Sequence, residues 1–267
     1  MKHLSLILAL VAASACGRSV QVGTGPGSSA VRTDRITSAD QLVAAMSSAY
    51  AGKWYRNLTF VQKTTYLRPD GTPSRVENWY EAMALPGKLR IDLGDVAKGN
   101  GVLFRNDSTY QLQGGRITHK AAGRNLLLTL GFDVYAQPPE KTIAQLRAEK
   151  INLGVLHRDS LDGRPMFVVG AGPGDLTTNQ FWVDAERLLF VRLVQTDAQR
   201  RRTQDIRFEK YVQHGGGWVA ERVRFFGDGK PILLEEYTDV RANVTLDDAL
   251  FVPERWSSAQ HWYAAPK

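Results

Sequence analysis

Apolar positions along this chain recur in two rhythms, one brief and early, the other long. Ser38 followed three residues later by Gln41 has the form of a capping box, and Leu42, Val43, Met46 and Tyr50 then recur at helical spacing, which predicts a helix over residues 38–51. From Trp54 onward the period falls to two. Residues 54–67 are dense in aromatic and β-branched side chains, Pro69-Asp70-Gly71 signals a turn, and residues 76–85 read as the return strand of a long hairpin. Leu89, Ile91 and Leu93 alternate with Arg90 and Asp92 in the next strand, and short strands follow near 102–105, 109–113 and 116–119. The alternation breaks where Asn125 is followed by Leu126, Leu127, Leu128 and Leu130, a stretch too apolar to lie uncovered on a surface. Pro138-Pro139-Glu140 then opens a second helix through Ile143 and Leu146.

Strand texture returns for most of the remaining chain. Strands are predicted near 155–161, 164–169, 178–184, 188–195, 203–213, 218–226 and 231–238, with turns at Asp162-Gly163, Gly172-Pro173-Gly174 and Asp228-Gly229. Long strands joined by short turns favour an antiparallel meander over parallel crossover units. The expected fold is α+β and mainly β, with eleven to thirteen strands and two or three helices.

This pattern leaves much apolar surface for few helices. Leu58 shares a face with Phe60, Trp79 with Met83, and Leu89 with Ile91 and Leu93. Phe181 and Val183 form a fourth set, with Trp182 on the other face, and Leu189 and Val191 a fifth. These residues are the candidate lining of an apolar cavity, because a curved sheet under partial helical cover encloses one readily.

Chemistry-bearing motifs are sparse. His3, His119, His157, His214 and His261 are not at metal-ligand spacing, and Gly170-Ala171-Gly172-Pro173-Gly174 runs into a strand, unlike a dinucleotide loop, which opens a helix. Glu235 and Glu236 are adjacent in a strand and so point to opposite faces. No catalytic residue, metal site or cofactor is expected, and the reading is of a non-enzyme.

Composition is that of a soluble globular protein, with 43% hydrophobic and 23% charged residues. The net charge of +7 comes from scattered basic residues, with one compact run, Arg200-Arg201-Arg202, placed as a hairpin tip. Anionic lipid headgroups are the expected counterpart of this charge, not nucleic acid.

The sole cysteine changes the picture most. Met1-Lys2-His3, an apolar stretch to Ala13, and Ser14-Ala15 lead to Cys16, in the order of a signal peptide with a lipid-attachment site. The apolar stretch is too short to span a bilayer. With Cys16 acylated, no disulfide is possible. The expected organisation is a signal peptide over 1–15, a lipid-anchored Gly/Ser-rich tether over 16–36, a folded domain over 37–255, and a tail over 256–267.

Four segments, in order, resemble the LolA/LolB-like superfamily of outer-membrane lipoprotein sorting. They are Leu58-Thr59-Phe60-Val61-Gln62, Leu85-Pro86-Gly87-Lys88-Leu89-Arg90, Phe181-Trp182-Val183-Asp184, and Val244 to Phe251 followed by Val252-Pro253. The resemblance implies an open antiparallel β half-barrel of about eleven strands, with two or three helices covering the concave face. It implies acylated lipoproteins or other lipids as partners, and a membrane contact through the Cys16 anchor. In that family the arginine after Pro-Gly holds a helical lid, so Arg90 inherits a lid contact by resemblance. Residues 126–130 are a candidate lid or insertion loop. Gly17 after the cysteine points to the periplasmic face of the outer membrane, with the inner membrane as the other possible address. The alternative is a regulatory scaffold or envelope-stress sensor built on the same fold.

Overall fold

The computed structural model describes residues 33–263 apart from 198, 200 and 201; Cys16 and most of the tether lie outside the described residues. The first helix, α1, spans Ala39–Ala49. Its cap is the one the sequence implies: Ser38 Oγ accepts from Gln41 N at 3.2 Å, while Gln41 Oε1 accepts from Thr37 N at 2.8 Å. Leu42, Val43 and Met46 are its buried stripe.

Among the described residues thirteen strands follow, all in one sheet. The first six are β1 (Asn57–Leu67), β2 (Pro73–Ala84), β3 (Lys88–Leu93), β4 (Gly101–Arg105), β5 (Ser108–Gln113) and β6 (Arg116–Ala122). Two helices then intervene, α2 (Leu126–Gly131) and α3 (Pro139–Ala148). The remaining strands are β7 (Leu156–Leu161), β8 (Arg164–Val169), β9 (Gln180–Asp184), β10 (Phe190–Asp197), β11 (Arg202–His214), β12 (Gly217–Gly227) and β13 (Lys230–Ala242). The spatial order is β6-β5-β4-β3-β2-β1-β13-β12-β11-β10-β9-β8-β7, and every neighbouring pair is antiparallel.

That order has a simple consequence. The chain starts at the middle of the sheet, meanders out to one edge at β6, reappears at the opposite edge at β7, and meanders back until β13 pairs with β1. The sheet stays open, an antiparallel half-barrel, and the one segment joining its two edges carries α2 and α3. The leucine-rich stretch therefore sits where the apolar inner face needs cover.

Alternation along the strands sorts the core into faces. On the inner face α1, α2 and α3 pack with Leu58, Phe60, Met83, Leu89, Phe181, Val183 and Phe208 in one continuous cluster. On the outer face Leu250, Phe251 and Trp256 cover Ala82, Leu103 and Leu112. The segment expected as a tail thus begins with a buried anchor, since Trp256 is 2% exposed. Gly101 makes room for it: a Cβ there would collide with the Trp256 ring and the Ile91 carbonyl. A second outer cluster joins Met166, Val168, Trp182 and Val191.

Candidate functional site

The inner face holds a cavity of about 80 Å³, walled by the sheet and roofed by the α2 segment. Phe60, Trp79, Met83, Leu89 and Ile91 line it from β1 to β3. Leu127 and Leu128 of α2, with Phe132 just beyond, close it from above, and Phe208 and Phe225 complete the far wall. Pockets that take drug-sized ligands measure roughly 300 Å³ or more, so this cavity with its roof in place is too small for such a ligand.

Most of the candidate lining residues lie on this face. Phe60, Trp79, Met83, Leu89 and Ile91 border the cavity, while Leu58, Phe181, Val183 and Leu189 are buried in the core that continues from it. Leu93 lies at the end of β3, opposite Trp79, and is half-buried outside the lining.

Two of the expected residues reach neither the cavity nor the roof. Val191 packs with Met166, Val168 and Trp182. The cause is a bulge: pairing of β10 with β9 shifts register between Phe190 and Arg192, so the alternation running from Leu189 does not reach Val191. Arg90 does not touch a helical lid. Its Nε and Nη2 donate to Asp92 Oδ2 and Oδ1 at 2.7 and 2.8 Å, and its Nη1 donates to the Trp256 carbonyl at 3.1 Å. Being out of phase with Leu89 and Ile91, it points outward and holds the C-terminal segment.

Other residues secure the roof. Asn125 Oδ1 caps α2 by accepting from Leu127 N and Leu128 N at 2.9 and 3.2 Å. Asp133 Oδ1 accepts from Gly87 N at 2.9 Å, tying the segment to the β2–β3 turn. Burial pushes the Asp133 carboxyl up to about 6, against the opposing pull of that hydrogen bond. Tyr135 Oη accepts from Phe190 N at 2.9 Å and donates to the Leu188 carbonyl at 3.3 Å. Arg124 bridges Asp107 and Glu149 from the β6 side.

The cavity wall is not wholly apolar. Glu81 and Glu235 both line it. Glu81 is 4% exposed, and burial together with the charge of Glu235 holds its carboxyl well above the ordinary range. Glu235 accepts from Tyr237 Oη at 3.0 Å, and burial raises its carboxyl to about 7. Glu81 stands in phase with Trp79 and Met83, the signal in the sequence that places it on the inner face, whereas Glu235 is marked there only as one of an adjacent acidic pair.

A larger cavity of about 520 Å³ lies elsewhere, between the sheet and the C-terminal segment, bordered by Thr59, Arg241, Leu246, Asp247, Gln260, His261 and Trp262. Its rim mixes charged and apolar groups and lacks the helical roof. Among the described residues no three His, Cys, Asp or Glu side chains gather as a metal site, and no helix is long and apolar enough to cross a membrane.

No family model and no curated protein matches this chain. Solved structures do. A putative outer membrane lipoprotein-sorting protein domain from Vibrio parahaemolyticus aligns with a TM-score of 0.53 and 9% identity, over 82% of this chain and 97% of that one. A DUF1329 family protein from Desulfovibrio piger ATCC 29098 aligns with a TM-score of 0.51 and 14% identity, over 79% and 95%. A LolA superfamily protein from Nitrosomonas europaea aligns at 0.47 and 11%, over 81% and 98%. The fold is similar to those of the lipoprotein-sorting domain and the DUF1329 family protein.

Proposed function

We propose that this protein is a non-enzymatic, lipid-anchored binding protein of the cell envelope that takes the acyl chains of lipoproteins, or other lipids, onto the inner face of its half-barrel. The observation that carries this reading is the roofed apolar cavity: one segment, tied by a few hydrogen bonds, covers a face lined by Phe60, Leu89, Phe208 and Phe225. Displacing α2 enlarges the cavity without breaking the sheet, because no strand hydrogen bond runs through that segment. Burial of a chain supplies about 0.8 kcal/mol per CH₂, so binding and hand-over need no covalent chemistry. The likeness of the fold to a lipoprotein-sorting domain supports the same reading.

In this proposal residues 1–15 are a signal peptide, Cys16 carries the lipid, residues 16–36 are the tether, and residues 37–255 are the binding domain, with Trp256 and the segment after it docked on the domain. The address is the periplasmic face of the outer membrane. Native mass spectrometry of the full-length protein, incubated with an acylated lipoprotein, tests the binding reading: a one-to-one complex supports it, and no complex under any detergent condition removes it. The anchor is tested separately, since Cys16→Ser is expected to abolish palmitate incorporation and release the protein from the membrane fraction.

A further inference from the structure

The inner cavity contains acid without base. Its wall includes Glu81 from β2 and Glu235 from β13, and no lysine, arginine or histidine lines it. The other surfaces that face these carboxyls bring only neutral groups: Gln62 from β1, Leu89 and Ile91 from β3, Phe208 and Phe225 from β11 and β12, and Asn125, Leu127, Leu128 and Phe132 from the roof. Tyr237, the one further titratable group, already donates to Glu235. Glu81 is 4% exposed and lines the cavity, forms no hydrogen bond or ion pair among the described residues, and is not one of the side chains whose unpartnered polar atoms are fully enclosed, so its carboxyl is open to the cavity.

A carboxyl held away from bulk water without a protein partner is disfavoured, and more so when it ionises. Simple core packing would be better served by leucine at position 81, between Trp79 and Met83 on the same face. An acceptor in a cavity whose other lining is apolar or neutral calls for a donor from the ligand. An ammonium has three donors and no acceptor, and it brings the charge this wall lacks. A free carboxylate carries acceptors only, so it can do no more than accept a proton held on one of these carboxyls and gains no opposite charge.

We infer that the inner cavity is a subsite for an amine-bearing amphiphile, with its apolar chain against Phe60, Leu89 and Leu128 and its ammonium at Glu81 and Glu235. This rests on the proposed role of the inner face in lipid binding and adds the chemistry of the ligand's polar end.

The test compares three probes of equal chain length, dodecylamine, dodecanol and laurate, by isothermal titration calorimetry with the full-length protein at pH 7.5. The protein's net charge of +7 favours the anion non-specifically, so a preference for the amine reports the cavity. The expected result is dodecylamine binding at least tenfold tighter than either other probe, with the gap closed in the Glu81→Gln/Glu235→Gln variant. Equal affinities for the three probes, or a gap that persists in a folded double variant, overturn the inference while leaving the acyl-binding role intact. Binding of none of the three overturns both.

Discussion

The Arg90 guanidinium lies 3.7 Å from the centre of the Trp256 ring, on the face of the sheet turned away from the helices. The same guanidinium forms a two-pronged ion pair with Asp92, and His261 Nε2 sits 3.0 Å from Asp92 Oδ2. Arg90 and Asp92 are 2% and 0% exposed. This buried cluster fastens residues 256–261 across β3, on the face away from the inner cavity.

Arg90→Ala is accordingly a stability variant. It leaves buried Asp92 with His261 as its remaining side-chain partner and breaks a buried ion pair, a change that costs up to about 3–5 kcal/mol. Urea denaturation followed by circular dichroism should show a lower midpoint, while lipid affinity per folded molecule stays within about twofold. A large loss of affinity in the folded variant would return Arg90 to the ligand site.

Asp133 gives the roof a pH dependence. Its carboxyl titrates near 6 in the folded protein against an ordinary value of 3.8, so the folded state holds the proton more tightly. The associated stability is complete below about pH 4 and is lost as pH rises through 6. Asp133→Asn keeps an oxygen for Gly87 N and removes the ionisation. It should stabilise the protein by on the order of 2 kcal/mol more at pH 7.5 than at pH 4.5. Thermal melts at the two pH values check the sign, and equal shifts at both would contradict it.

Asn125→Ala removes the cap of α2. The expected loss is about 1 kcal/mol, expressed locally as easier opening of the roof. Stopped-flow uptake of a fluorescent acyl probe should accelerate severalfold. Unchanged uptake would mean that α2 does not gate the cavity.

Tyr135 holds the other end of the roof through a single hydroxyl that serves Phe190 N and the Leu188 carbonyl. Tyr135→Phe leaves a buried backbone donor unmade at the β10 bulge, costing about 1–3 kcal/mol. Amide exchange at Phe190, read by mass spectrometry of the covering peptide, should rise. No change there would show that the bulge is held by the strand pairing alone.

Much of this architecture is legible in the sequence because period-two alternation survives burial on one face. Strand positions from β1 to β12 follow it closely, and Asn125 with its leucines is marked by its break. What alternation cannot convey is pairing at a distance. The seam that joins β13 to β1 and the reach of Trp256 to Arg90 depend on partners far apart in the chain. Local phase fails at bulges, as at Phe190–Arg192, where one extra residue moves Val191 to the outer face. Glu81 was legible by phase, but a charged residue between Tyr80 and Ala82 reads as solvent-facing until the roof above it is known.

The central claim is that acyl chains enter the inner cavity beneath α2. A lipopeptide with a photoreactive diazirine in its palmitoyl chain tests it directly, by irradiation with the full-length protein and peptide mapping. The account predicts saturable labelling of residues 125–132 and of the strands bearing Phe60 and Leu89, removed by excess unlabelled lipopeptide. Labelling confined to residues 244–262 around the outer cavity, or labelling that never saturates, would contradict it.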